Sequence, residues 1–486
     1  MKRNRLKLLV AAALLCPTIV EAQSTKGIEQ AVGKVEREEG MEHGVLAVSV
    51  YNVETNKAIY EHNAGLSLTT ASVSKLFTTG AGFAQLGGDF RFTTRVVMHG
   101  TVDREGVLHG DVYLIGGGDP MLGSYRYRQT HPDTLFAALT RALKGKGIRR
   151  IYGRIFYDAS TFDSKPLHDS WQWGDIGNYY ASGVSGLNFH ENMYFVYFNP
   201  ASHEGLAAAV ARTQPKNLEI YATNQVSTGE EGTGDGVVVY GSPFSAERRY
   251  TGTVPLGKAE FAIRAAMPTP AKNFADLFST YLRTHGISVS ATSAEATVEP
   301  DSLQQVLDYR SSPYATIAQY TNHTSNNLYA ECIFKYLGYK VFGEGSFENG
   351  EKVVVQYLKG MGLSTKGTRV VDGSGLSRLD HTTADFLCRY LSALNREPYY
   401  DKFLLTLPKA GESGTARRLL PSLPKGVSVY VKTGTMEGVK AYAGYVQTAG
   451  GETYAFSIIS NGHECTSRVV AEKLERILQQ IALLHT

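Results

Sequence analysis

The stretch TTASVSKLFTTGAGF, residues 69–83, sets Ser72 three positions before Lys75 at the head of an apolar run. The run predicts a buried helix, with Ser72 at its N-terminus and Lys75 one turn on, on the same face. A serine at that place is commonly an N-cap and no more. The same pair also fits a nucleophile beside its base. S-x-x-K is a short pattern, and a second match runs from Ser422 to Lys425. That one contains Pro424, which prevents its two ends from sharing a helical turn. Two distant stretches decide between the readings.

The chain has 486 residues, 43% of them apolar and 20% charged. That length predicts two or three domains, and the composition is that of a globular protein. Residues 1–22 read as a secretory signal: Lys2, Arg3, Arg5 and Lys7, then an apolar run from Leu8 to Leu15, then Val20-Glu21-Ala22 as a small-x-small cleavage site. Leu15 is too large to precede a lipidated Cys16. Cleavage after Ala22 removes four positive charges and one negative from a net +3, leaving a neutral chain. No nucleic-acid partner is implied, and no other segment reads as an integral membrane span. Cys332, Cys388 and Cys465 lie too far apart for a zinc knuckle or a C-x-x-C pair and read as core cysteines. His190, His323 and His381 lack metal-ligand spacing, so neither a metal nor a cofactor is expected.

Working outward, residues 44–63 read as a hairpin around Glu54-Thr55-Asn56. At the other end, 426–434 alternates like a strand, 441–461 is a hairpin turning at Gly450-Gly451, and an amphipathic helix follows from about Ser467. These two ends can form one sheet flanked by helices, an α+β arrangement. Between them, residues 133–153 and 274–290 echo each other as helix, glycine, strand. Residues 184–267 are rich in Gly, Thr, Val and Tyr and read as β. The pattern is an insert within an insert: a main domain of 23–90 and 292–486, an inserted domain of 91–183 and 268–291, and a nested, mostly β domain of 184–267.

Lys432-Thr433-Gly434 ends the alternating strand, where a strand simply running into a turn would also place a glycine. Ser325-Asn326-Asn327 falls at a polar break between two helices, a place where Ser and Asn are common in any case. In order, S-x-x-K, S-N-N and K-T-G match the signature of penicillin-binding proteins and class A β-lactamases, with Asn326 in place of the usual middle aspartate. The segments 110–122, 184–192, DGSGLSRLD (372–380) and PKAGESGT (408–415) add to the match. The chain thus resembles the low-molecular-mass class C penicillin-binding proteins, a family of D-alanyl-D-alanine carboxypeptidases and endopeptidases. The resemblance covers nearly the whole mature chain. It implies a β-lactamase/transpeptidase-like domain carrying inserted domains between the first two motifs.

The chemistry of the residues fits that family. A serine hydroxyl needs a neighbouring base at neutral pH. Lys75 can serve only when neutral, and burial or a second cation such as Lys432 would depress its pKa. Ser325 would relay a proton to the leaving amine, and Asn327 would fix Lys75 and the substrate amide. By resemblance, the oxyanion hole would be the amides of Ser72 and Thr435. Lys432, Thr433, Gly434 and Thr435 would receive the substrate's terminal carboxylate. Asp158 and Arg378 resemble family residues around the cleft, Asp158 toward the amino end of a diamino acid, and a structural role serves equally for each. Three functions compete: a periplasmic D,D-peptidase acting on peptidoglycan peptides and acylated by β-lactams, a β-lactamase or esterase on the same site, and a non-catalytic wall-binding protein. No E-x-x-L-N string is present to activate a deacylating water, which counts against the second. The intact Ser72, Lys75, Ser325, Asn327 and Lys432 set counts against the third.

Overall fold

The computed structural model describes residues 25–297 and 303–484. The secretory-signal reading of residues 1–22 lies outside them. The chain begins its main domain with β1 (Val45–Asn52), β2 (Lys57–His62) and, after a 3-10 turn at Ala71–Ser74, α1 (Lys75–Leu86). It leaves through β3 (Thr93–Val102), β4 (Val107–Ile115), α2 (Pro132–Gly145) and β5 (Ile155–Asp158). A nested run follows: β6 (Met193–Asn199), β7 (Ala209–Gln214), β8 (Tyr221–Gly229), β9 (Gly236–Tyr240), β10 (Glu247–Pro255) and β11 (Phe261–Ala266). The return is α3 (Pro270–Thr284) and β12 (Gln304–Arg310). The main domain resumes with α4 (Tyr314–Thr324), α5 (Asn327–Phe342), α6 (Phe347–Gly360), α7 (Ala384–Leu394), β13 (Ser428–Met436), β14 (Val439–Gln447), β15 (Thr453–Asn461) and α8 (Ser467–Ala482).

The two ends of the chain do form one five-stranded sheet, ordered β13-β14-β15-β1-β2. β1 pairs antiparallel with β15 along its whole length, from Val45 opposite Asn461 to Asn52 opposite Tyr454. Strand alternation divides the buried side chains between two cores. Ala47, Tyr51, Ala455, Ile459, Ala443 and Tyr445 face α1, α4, α5 and α7. Leu46, Val48, Val50, Phe456 and Ile458 face the helix at residues 25–35 and α8. Covering both faces makes these strands almost continuously apolar. α1 lies within the first core and is buried from Lys75 through Phe83, which explains a helix apolar on every side. Gly82 lets the wall close on it: a Cβ there would meet the Tyr314 hydroxyl, which instead donates to the Thr79 carbonyl at 2.7 Å.

In the excursion, the two helix-glycine-strand echoes sit side by side. α2 and α3 share one core through Phe136, Phe274 and Phe278. The short strands after them, at 150–151 and 288–289, pair in parallel. The insert's sheet extends beyond the boundary at 291 that the sequence suggests, because β12 returns antiparallel along β3. The nested segment forms two three-stranded sheets, β8-β10-β9 and β11-β6-β7, over a core that includes Tyr194, Phe198, Val226 and Tyr250. Among the described residues no helix is long and apolar enough to cross a membrane.

Candidate active site

α1 begins at Lys75, and Ser72 occupies the 3-10 turn just before it. Lys75 is fully buried. Its Nζ lies 2.8 Å from Ser72 Oγ, 2.6 Å from Asn327 Oδ1 and 2.7 Å from the Ser374 carbonyl oxygen. Three acceptors suit an ammonium with three protons. They also suit the neutral amine: two protons go to Asn327 and Ser374, and the lone pair is left facing the Ser72 hydroxyl. Burial brings Lys75 down to about 7, while the charges of Glu331, Asp372 and Asp380 pull it up. The main cause of the drop is therefore desolvation rather than a neighbouring cation. Repulsion between the two lysines shows at Lys432, which is held well below its ordinary value by burial, then by Lys75 and Lys440.

The second motif sits where α4 stops. Ser325 takes the left-handed conformation, φ 52° and ψ 41°, and α5 starts two residues later at Asn327. A non-glycine residue held there costs backbone energy and is common at functional sites. Ser325 Oγ accepts from Lys432 Nζ at 2.9 Å. Lys432 also donates to the Thr433 carbonyl at 2.7 Å. Asn327 Nδ2 donates to the Tyr180 carbonyl at 2.7 Å, so one proton of an amide expected to meet substrate is taken by the insert.

The third motif lies on β13, the edge strand of the sheet, so alternate backbone groups along it face away from the ladder. Gly434 allows this strand to approach the nucleophile turn. A Cβ there would stand 2.4 Å from the Thr70 carbonyl oxygen and 3.2 Å from the Ser72 nitrogen. Thr433 Oγ1 meets Thr415 Oγ1 at 2.9 Å, which ties the PKAGESGT segment to the strand. Thr435 Oγ1 accepts from Lys440 Nζ at 2.8 Å. Burial lowers Lys440 to about 8. Arg378 is exposed and donates to the Glu437 carbonyl at 3.3 Å, just past the end of β13.

Asp158 lies elsewhere. It ends β5, is buried, and caps the Ser160 amide at 2.8 Å. It lines a cavity of about 510 Å³ inside the insert, with Phe162, Pro166, Phe244 and Lys272 among its walls and none of the three motifs.

Sequence reasoning missed a buried carboxylate layer behind Lys75. Glu331 accepts from the Gly373 and Ser374 amides at 2.7 and 2.8 Å. Asp372 accepts from the Ser374, Gly375 and Ser377 amides and from the Trp171 indole. Burial and the Asp372 charge raise both Glu331 and Asp380. The signal for Glu331 was available, since it stands four positions after Asn327 on one face of α5. Lys440 carried no such signal, because it reaches Thr435 only through the β13–β14 register.

The family model for the D-Ala-D-Ala carboxypeptidase 3 (S13) family matches residues 28–482. A D-alanyl-D-alanine carboxypeptidase from an Actinomadura species is 29% identical over 92% of this chain and 84% of its own length. The D-alanyl-D-alanine carboxypeptidase DacB of Haemophilus influenzae is 25% identical over 87% and 86%. Among solved structures, penicillin binding protein 4 (dacB) from Haemophilus influenzae superposes with a TM-score of 0.78 at 23% identity, covering 93% of this chain and 98% of that one. A predatory peptidoglycan endopeptidase from Bdellovibrio bacteriovorus has the same fold more distantly, with a TM-score of 0.52 at 16% identity over 90% and 92% of the two chains. With three motifs converging on one buried lysine and a family match over almost its whole length, this chain belongs to the D-Ala-D-Ala carboxypeptidase 3 (S13) family.

Proposed function

We propose that this protein is an exported serine-type D,D-peptidase that works outside the cytoplasmic membrane, in the periplasm. It would release terminal D-Ala from peptidoglycan stem peptides, or cut their D-amino-acid cross-links, through an acyl-enzyme on Ser72. The observation that carries the reading is the position of Lys75 Nζ between Ser72 Oγ and Asn327 Oδ1. In the neutral state Lys75 takes the Ser72 proton as Oγ attacks the scissile carbonyl carbon. The oxyanion that forms is received by the amides of Ser72 and Thr435. Collapse breaks the C–N bond, and the leaving amine gains its proton from Lys75 through Ser325. Water then attacks the ester, Ser72 regains its proton, and the shortened peptide leaves.

The terminal carboxylate of the substrate would lie along Thr433, Gly434 and Thr435, beside Lys432. Arg378 sits at the rim beyond them and supports the same end. Asp158 lines the insert's own cavity, which none of the three motifs reaches, and is given no role at the scissile bond. A β-lactam would acylate Ser72 by the same attack, with its leaving nitrogen still tethered. Both Glu331 oxygens are occupied by backbone amides. Glu331 is also fully buried, so it is not placed to activate a deacylating water, in keeping with a slowly hydrolysed adduct rather than with a β-lactamase.

Digestion of defined muropeptides, read by mass spectrometry, tests the proposal. Loss of one D-Ala from a pentapeptide, or conversion of a cross-linked dimer to monomers, is expected. An enzyme that leaves both intact but turns over penicillin within seconds would overturn it.

A further inference from the structure

An aromatic shelf lies on the nested domain, with Trp173 of the enclosing insert at its side. In the β8-β10-β9 sheet, Tyr221 stands opposite Glu247, Thr223 opposite Arg249, and Arg249 opposite Tyr240. Paired residues project to the same face of a sheet, so these five side chains share one face. The other face carries Val226, Val239 and Tyr250 into the core, so the five look outward. Trp173 stacks on Tyr240, with ring centroids 6.0 Å apart at 29°. Trp173 and Tyr221 are each 63% exposed. Together these residues line a concavity of about 920 Å³.

The shelf is tied to the catalytic cluster through Trp173's own loop. Two residues before it, Trp171 Nε1 donates to Asp372 at 2.8 Å. Seven residues after it, the Tyr180 carbonyl accepts from Asn327. Chain geometry therefore keeps the Trp173 backbone within about 7 Å of Trp171. Large exposed aromatic rings lining a concavity, with polar groups between them, are a ligand surface rather than ordinary exposure.

We propose that this shelf binds the N-acetylhexosamine glycan that carries the stem peptide, while the peptide enters the Ser72 cleft. The proposal rests on the peptidase reading above and adds a sugar subsite to it. A hexosamine ring has a C–H face and a polar rim. The C–H face suits the negative faces of the Trp173, Tyr240 and Tyr221 rings. Its hydroxyl and acetamido groups suit Arg249, Thr223 and Glu247. An extended peptide fits less well, because peptides that dock on sheets add to an edge by backbone pairing, and this surface offers side chains on a sheet face.

The chain has two tryptophans, and Trp171 is buried, so Trp173 is the accessible reporter. The full chain is titrated with the tetramer of N-acetylglucosamine while tryptophan emission is followed. A saturable change is expected in wild type and equally in Ser72→Ala, with affinity weakened about tenfold in Tyr240→Ala and Tyr221→Ala. In parallel, kcat/KM is compared for a disaccharide-pentapeptide and the bare pentapeptide. The sugar should raise it about tenfold through KM, and Trp173→Ala should abolish that ratio. No saturable change, an equal response to the bare pentapeptide, or equal kcat/KM for the two substrates would overturn the subsite. Tetramer binding without hydrolysis of either substrate would sink the peptidase reading and leave the shelf standing.

Discussion

Glu331 and Lys75 meet through the backbone of a single residue, Ser374. The carboxylate accepts the Ser374 amide at 2.8 Å, and the carbonyl of the same residue accepts Lys75 Nζ at 2.7 Å. Glu331 thereby positions an acceptor that orients Lys75, the proposed base, and its charge is the strongest of those that favour protonated Lys75. The pH dependence of the site follows from this arrangement.

The rate of acylation by benzylpenicillin should rise with pH through a limb centred near pH 7. Lys75 works only as the free amine, and burial sets its titration at about 7. Stopped-flow acylation between pH 5 and 9 measures the limb. A rate already flat at pH 5.5 would show that Lys75 is not the group being deprotonated.

Glu331→Gln should move that limb to lower pH, since the ionised carboxylate that holds the proton on Lys75 is removed; the shift is limited because burial raises Glu331 itself to about 8. It should also cost about 1–3 kcal/mol of stability, because a backbone amide loses its acceptor in a buried place. A merely structural role would lower stability and rate without shifting the limb. The paired measurement is a thermal melt with the pH–rate profile.

Lys432→Met should separate stability from activity. Lys432 is fully buried, and its hydrogen bonds go to Ser325 Oγ and a carbonyl rather than to a carboxylate. Replacing a buried amine that has no carboxylate partner with an apolar chain of similar length stabilises a fold. The melting temperature should rise by a few degrees, while kcat/KM on a D-Ala-D-Ala peptide falls by about a hundredfold or more. A drop in both would mean that Lys432 holds the fold together.

Gly434→Ala tests the approach of β13 to the nucleophile. The added methyl would stand 2.4 Å from the Thr70 carbonyl oxygen, so the strand and the Ser72 turn must part. A misplacement near 1 Å can cost about a hundredfold. The acylation rate should fall by that order, with circular dichroism unchanged. Wild-type acylation in this variant would refute the close approach.

Much of this architecture was legible where local rules suffice. The one-turn spacing of Ser72 and Lys75, the polar break at Ser325 and the alternation up to Lys432 are local patterns, and the alternating ends of the chain implied a shared sheet. The rest depended on tertiary contact. Glu331 matters because a loop 43 residues further on brings Ser374 to it, and Lys440 matters because of strand register. Asp158 was read from a family-like string, but its strand ends inside the insert. Burial and a second cation were both expected to depress Lys75; burial has the larger effect, and its completeness is invisible in one sequence.

The most direct test of the account is intact-mass analysis after incubation with benzylpenicillin, followed by peptide mapping. One adduct is expected, on the peptide containing Ser72, and Ser72→Ala should gain no mass. An adduct on another residue, or full modification of Ser72→Ala, would contradict the assignment of the nucleophile.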